Sequence, residues 1–348
     1  MRVQDQILRF CARQDFLPAH QAGVEDLCRN HPIDWKRLAA TAERHGVLPI
    51  VGANLRRCDR QILRLPEEIA DRLETAIFEN AALRERDADR LAAGLARLRE
   101  VDLHAMLLKG TALTLSVYEE PWVVTSLDID LSLRPGPDWA KDKGDERKIR
   151  KALYTHGVEC DLDAHHDVTM NGILPIDFER IWADARPVRF RGEDAWIMSP
   201  EDLLISLCVN ACRKRYFRLK VLFDLNETLR RGGPFDWPRL ADLARQGRCE
   251  GVVYTALTAA RETLGAEIPP EALDVLKLAP FRAALLRRLV ASCLRAGSLQ
   301  GRGTALLLTY ASLRPAEAWR SLTYSLTHPD KHKGEDPFAP LTSPQTLS

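Results

Sequence analysis

Apolar positions recur at helical spacing through the first hundred residues. The pattern predicts helices at 26–30 and 35–45, another from Leu48-Pro49-Ile50 to 55, and a long one over 67–99. In the last, Ile69, Leu73, Phe78, Ala81, Ala88, Leu91, Leu95 and Leu98 alternate with charges, which reads as an amphipathic helix with a solvated face. The rhythm then changes. At 105–133 an apolar run through Met106, Leu107 and Leu108 leads into Lys109-Gly110-Thr111, a helical segment follows, and a second run alternates Leu127, Asp128, Ile129, Asp130 and Leu131. This predicts strand, turn, helix, strand.

Downstream, 134–143 is rich in Pro, Gly and charge and reads as a loop. A helix is expected over 146–156 up to Gly157, and a strand over 158–168. Positions 177–182 and a strand pair within 186–196, turning at 191–194, close this unit. Ser199 is an N-cap candidate, with Pro200 at the first helical position and Glu201 and Asp202 in the first turn, ahead of an apolar helix over 203–212. Helical periodicity returns at 237–246, 251–264, 270–276, 281–296 and 304–313. From His328 the composition turns to Pro, Lys, Ser and Thr and predicts a mobile tail. The fold class that follows is α+β: a small mixed sheet with helices at 101–198, an N-terminal helical region at 1–100, a C-terminal helical domain at 199–327 and a tail at 328–348.

With 348 residues and 45% hydrophobic composition, the chain can bury a large core. Fifty basic residues against 49 acidic give a formal net charge of +1, so no global field draws it to a polyanion and any such binding must be local. Among the eight cysteines there is no paired zinc spacing; Cys208 and Cys212 fall on one face of an apolar helix and read as buried thiols. The N-terminus lacks a signal-peptide core and no apolar run could span a bilayer, so the expectation is a cytoplasmic protein with reduced thiols and no membrane partner.

Candidate chemistry gathers at 105–133. Alternation across a strand puts Asp128 and Asp130 on one face, with Leu127, Ile129 and Leu131 on the other. Two carboxylates side by side repel unless a cation offsets them, and Mg²⁺ takes such oxygen ligands while keeping positions for waters and phosphates. Gly110 permits close backbone approach to a ligand, and Thr111 reads as the helix N-cap, leaving amides and the positive dipole end toward an anion. The GxxxxGK[ST] spacing of a P-loop is absent. A second candidate is the basic–aromatic cluster at 213–220, where Lys214 and Arg215 could neutralise a phosphate and Tyr216 or Phe217 could stack on a base. Asp224 is expected to anchor that helix or its lysines.

The order Leu108-Lys109-Gly110, then Tyr118, then Asp128-Ile129-Asp130-Leu131 resembles the DNA-polymerase-β-like nucleotidyltransferase superfamily. More narrowly it is similar to a bacterial group of uncharacterised nucleotidyltransferases. The resemblance continues through 176–182, 199–204 and 218–225, and reaches about residue 230. It implies transfer of a nucleotidyl group from a nucleoside triphosphate, with Asp128 and Asp130 holding Mg²⁺ (or Mn²⁺) and Lys109, Gly110 and Thr111 near the phosphates. Family members also carry an acidic residue two places before a histidine. Asp163-Ala164-His165 fits that pattern and makes Asp163 the candidate third carboxylate, as base or metal ligand; Asp161 and Asp177 compete for the role. Many relatives carry an arginine just upstream of the first Asp, where this chain has Val123-Val124-Thr125-Ser126. Three acceptor classes are compatible with the resemblance: a small molecule, a protein or a tRNA. A non-catalytic nucleotide-binding or regulatory module, a toxin-like transferase and a small-molecule-modifying enzyme all fit the same residues.

Overall fold

A computed structural model describes residues 2–100, 102–120, 122, 129–135, 168–295 and 302–327. Six helices come first: α1 (Val3–Cys11), α2 (Pro18–Asn30), α3 (Trp35–Arg44), α4 (Leu48–Leu55), α5 (Arg60–Leu63) and α6 (Glu67–Glu100). Local chemistry sets their ends. Asp34 caps α3 by accepting from the Arg37 amide, and α4 opens on Leu48 with Pro49 in its first turn, where a missing N–H costs nothing. Helix α6 is the spine. Its first part packs on α3 and α4, and it also packs on the sheet strands β1 (Leu103–Leu107) and β4 (Glu193–Ile197).

The middle of α6 departs from the expected solvated face. Asn80, Arg84 and Asp87 lie on the buried stripe between Leu73 and Leu91, and Arg84 pairs with Asp87 at 2.7 Å. The Asn80 amide donates to the Trp122 carbonyl. Along this stretch Asn80 meets backbone, and Arg84 and Asp87 meet each other.

Among the described residues the sheet has four strands in the order β2-β1-β4-β3. After β1 come α7 (Lys109–Ser116), β2 (Leu131–Pro135), α8 (Phe178–Ala183) and β3 (Arg186–Phe190), and then β4. β1 runs antiparallel to β2 and parallel to β4, while β3 and β4 form a hairpin. Its turn is two residues long, Arg191 and Gly192, both left-handed, as a twist-matched tight hairpin requires. Ser132 sits opposite Met106 and Leu131 opposite Leu107. Helix α8 covers the His104–Met106–Ser132 face: the Trp182 indole N–H donates to the Ser132 hydroxyl at 3.2 Å, and the His104 ring stacks on Trp196 at 4.6 Å.

The remaining described helices are α9 (Pro200–Arg213), α10 (Leu219–Arg231), α11 (Trp237–Gln246), α12 (Glu250–Leu264), α13 (Pro270–Asp274), α14 (Pro280–Arg295), α15 (Arg302–Ser312) and α16 (Pro315–Thr327). α9 starts as its sequence dictates. The Ser199 hydroxyl accepts from the Asp202 amide and donates to that residue's carboxylate, and Arg180 on α8 clamps Asp202 with two hydrogen bonds of 2.5 and 3.0 Å. α12 is almost wholly buried among α9, α10, α14 and α15. The chain's beginning is tied back to this layer, since Arg13 donates to the Leu264 carbonyl and Gln14 to Glu227. Helix α16 extends the helical run beyond residue 313, where the sequence reading stopped. The expected helix at 146–156, the strand at 158–168 apart from Val168, and the tail at 328–348 lie outside the described residues. Val168 itself sits in a helical turn. No described helix is long and apolar enough to cross a membrane.

Candidate active site

The site is built where β1 ends. Leu107 pairs with Leu131 on one side and with Ile197 on the other, so the ends of β1 and β4 lie together at one edge of the sheet. α7 and α9 both begin at this edge, separated by one residue from β1 and by two from β4. Asp130 is the residue before β2. Its carbonyl accepts from the Leu108 amide at 3.1 Å, extending the β1–β2 pairing by one step. By strand alternation Asp130 shares a face with Ser132 and Arg134, while Leu131 and Leu133 take the other.

Lys109 makes the turn. It sits at φ 45°, a left-handed conformation that non-glycine residues seldom adopt and that tends to persist where the surroundings enforce it. The Lys109 ammonium lies 3.1 Å from Asp130 Oδ1, with the Asp130 side chain 7% and the Lys109 side chain 20% exposed. A carboxylate so far removed from water needs a counter-charge, and this contact supplies one. Because the turn is completed at Lys109, α7 starts there and Leu108 is the N-cap position. Thr111 is therefore the third helical residue rather than the cap, and its carbonyl accepts from the Thr114 hydroxyl at 2.7 Å. The amides of Lys109, Gly110 and Thr111 are the ones that a helix of this register leaves without internal acceptors. Gly110 is buried at their centre.

The far end of α7 is anchored just as firmly. The Tyr118 hydroxyl donates to the buried Asp224 carboxylate on α10, and Lys220 reaches both oxygens of that carboxylate at 2.6 and 2.5 Å. Burial and the neighbouring carboxylate push the Tyr118 phenol well above its ordinary pKa, so it remains a donor. Asp224 thus anchors a lysine, as its sequence context suggests, and also locks α7 to α10.

His45, for which no chemistry was expected, joins the N-terminal helices to α10. Its Nδ1 accepts from the Leu219 amide at 3.2 Å and its carbonyl from the Lys220 amide at 3.1 Å. Burial lowers its pKa to about 4, with Arg44 and Arg218 adding to the effect.

The other expected site residues are distributed as follows. Lys109 and Asp130 come together, with Gly110 and Thr111 beside them. Lys214 and Arg215 lie at the opposite end of α9, whose 14 residues put them about 21 Å along its axis from the edge where it begins. Tyr216 and Phe217 are 0% and 2% exposed, and Tyr216 donates to the Ser312 hydroxyl at 2.7 Å. Rings with no free face cannot stack on a base, so these two belong to the helical core. Asp177 caps α8 by accepting from the Arg180 amide at 3.1 Å, a structural role. Asp128, Asp161 and Asp163 lie outside the described residues. Among the described residues no group of three His, Cys, Asp or Glu side chains could hold a metal, and Asp130 is the described member of the expected hard-oxygen set. Cys208 and Cys212 are buried free thiols, as expected.

The Lys109–Asp130 contact escaped the sequence reading, which set Lys109 near the phosphates and not beside an acid. The antiparallel return of β2 beside β1 was the signal that could have paired them. A family model described as "Uncharacterised nucleotidyltransferase" matches residues 31–265, and the chain belongs to that family. No curated protein and no solved structure matches the chain.

Proposed function

We propose that this protein transfers a nucleoside monophosphate group from a nucleoside triphosphate to a hydroxyl acceptor. The acceptor oxygen attacks the α-phosphorus, the bond between that phosphorus and the α–β bridging oxygen breaks, and pyrophosphate leaves. The acceptor's proton passes to a carboxylate, for which Asp163 is the candidate. Lys109 and the first amides of α7 take the outer phosphates, because an ammonium and the positive end of a helix converge there. Asp128 and Asp130 would hold Mg²⁺ or Mn²⁺, which supplies neutralisation of the triphosphate charge when bound. Since Lys214 and Arg215 lie at the far end of α9, the phosphate role falls to Lys109.

One observation carries the reading: in a chain of the nucleotidyltransferase family, a buried Asp130 meets Lys109 at the mouth of the helix that follows β1. The test is incubation with each α-labelled nucleoside triphosphate, a divalent cation and fractionated cell extract. Label should enter a small-molecule, protein or tRNA fraction together with pyrophosphate release, and Asp130→Ala should abolish both. Nucleotide binding without pyrophosphate release would instead mark a non-catalytic module.

A further inference from the structure

The last three described helices differ in charge from the rest of the sequence and in surface from the other described residues. Over 280–327 there are seven arginines, no lysine and one carboxylate, Glu317, against a net charge of +1 for the whole chain. Glu317 is 1% exposed and engaged by Arg248 at 3.2 Å, so no described carboxylate on α14, α15 or α16 faces solvent. The same helices hold six of the large apolar side chains left exposed: Phe281, Leu285, Leu306, Leu307, Trp319 and Leu322. Phe281 and Trp319 are 80% and 67% exposed, values that no core or cap role explains.

These residues have a spatial order. On α14, Phe281, Leu285 and Arg288 recur at i, i+4 and i+7, which aligns them as one outward stripe. Exposed Lys277 precedes the stripe, so a cation closes it at each end. Arg282 donates to the carbonyls of Ser312 and Leu313 at 2.9 and 3.0 Å, which holds the start of α14 against the turn into α16. One turn into α16 stand Trp319 and Arg320, both exposed. All of this lies beyond residue 265, where the family match stops.

We infer that α14 and α16 form a docking surface for a partner protein that presents an acidic, apolar-faced helix. Arginine with aromatic anchors, with no lysine on the helices themselves and no exposed acid on them, is the composition of protein-binding surfaces, and Lys277 stands at the rim before α14. Surfaces for nucleic acid or anionic lipid draw on lysine as freely as arginine, and the exposed Leu285 and Leu322 would gain nothing from a phosphodiester chain. A single stripe bounded by cations suits one helix laid along it, its leucines on Phe281 and Leu285 and its carboxylates on Arg288 and Lys277.

The test uses the full chain and a fluorescein-labelled synthetic peptide with Leu and Phe at helical spacing and Glu at the flanking positions. Fluorescence anisotropy should report saturable binding, weakened at least tenfold by Phe281→Ser or Trp319→Ser and several-fold by Arg288→Glu. The same peptide with Lys for Glu should not bind, and circular dichroism should show the variants folded. Four results would overturn the inference: no binding, binding indifferent to these substitutions, single-stranded RNA or phosphatidylglycerol vesicles binding with the same residue dependence, or a mass that doubles with concentration through Phe281.

Discussion

Lys109 and Asp130 face each other across the turn from β1 into α7, ammonium to carboxylate at 3.1 Å. One residue bends the backbone left-handed so that the helix can start, and the same residue neutralises the acid that the returning strand brings alongside. The pair therefore has a structural and a chemical consequence. Lys109→Met leaves a mostly buried carboxylate without its described counter-charge and should cost about 2–3 kcal/mol in urea unfolding. The same substitution should raise the KM for nucleoside triphosphate more than it lowers kcat, if the ammonium serves the outer phosphates.

The second lock on α7 is at its other end. Asp224→Ala removes the acceptor of Tyr118 and strands the Lys220 ammonium, which is 11% exposed. A loss of about 3–5 kcal/mol is expected, because breaking a buried pair from one side leaves an uncompensated charge. Tyr118→Phe should cost less, about 1–2 kcal/mol, since Lys220 still satisfies the carboxylate. Equal losses in the two variants would contradict this ordering.

Stability should fall on mild acidification through His45. The folded pKa of about 4 lies below the ordinary 6.5, so between these values the unfolded chain binds the proton and the folded chain does not. The contribution is complete above about pH 6.5 and is lost as pH falls toward 4. It amounts to about 3 kcal/mol at most. His45→Gln keeps an acceptor for the Leu219 amide, and denaturant unfolding at several pH values should show a flatter decline over this window. An unchanged slope would assign the acid sensitivity elsewhere.

The start of α9 offers a smaller effect. Ser199→Ala removes the acceptor of the Asp202 amide and a donor to the Asp202 carboxylate, leaving Arg180 as that carboxylate's side-chain partner. A destabilisation of about 1–2 kcal/mol is expected in thermal or urea unfolding.

Ser199, Pro200, Glu201 and Asp202 show why much of the helical framework was legible in the sequence. Caps, prolines and apolar spacing act within one turn, so reading them requires no knowledge of the fold. The same holds for α4 at Leu48-Pro49 and for α11 after Asp236. What escaped depends on distant partners. Tyr216 and Phe217, flanked by Arg213, Lys214, Arg215 and Arg218, look like a surface patch. They are core because Ser312 and the last helices close over them. Arg84 and Asp87 look solvated for the same reason in reverse, since only the packing of α6 on two layers buries them. The start of α7 was misplaced at Thr111 because a lysine carries no local sign of the left-handed turn it makes. α16 was missed because its outward Trp319 and Leu322 blur the periodicity of its buried side.

The most direct measurement is pyrophosphate release from an α-labelled nucleoside triphosphate with Mg²⁺ or Mn²⁺ and extract, comparing the native chain with Asp130→Ala and Asp130→Asn. Release that depends on the divalent cation and drops by about 100-fold or more in both variants, with unfolding still cooperative, is the expected result. Release at the native rate in either variant would contradict a transfer centre at Asp130.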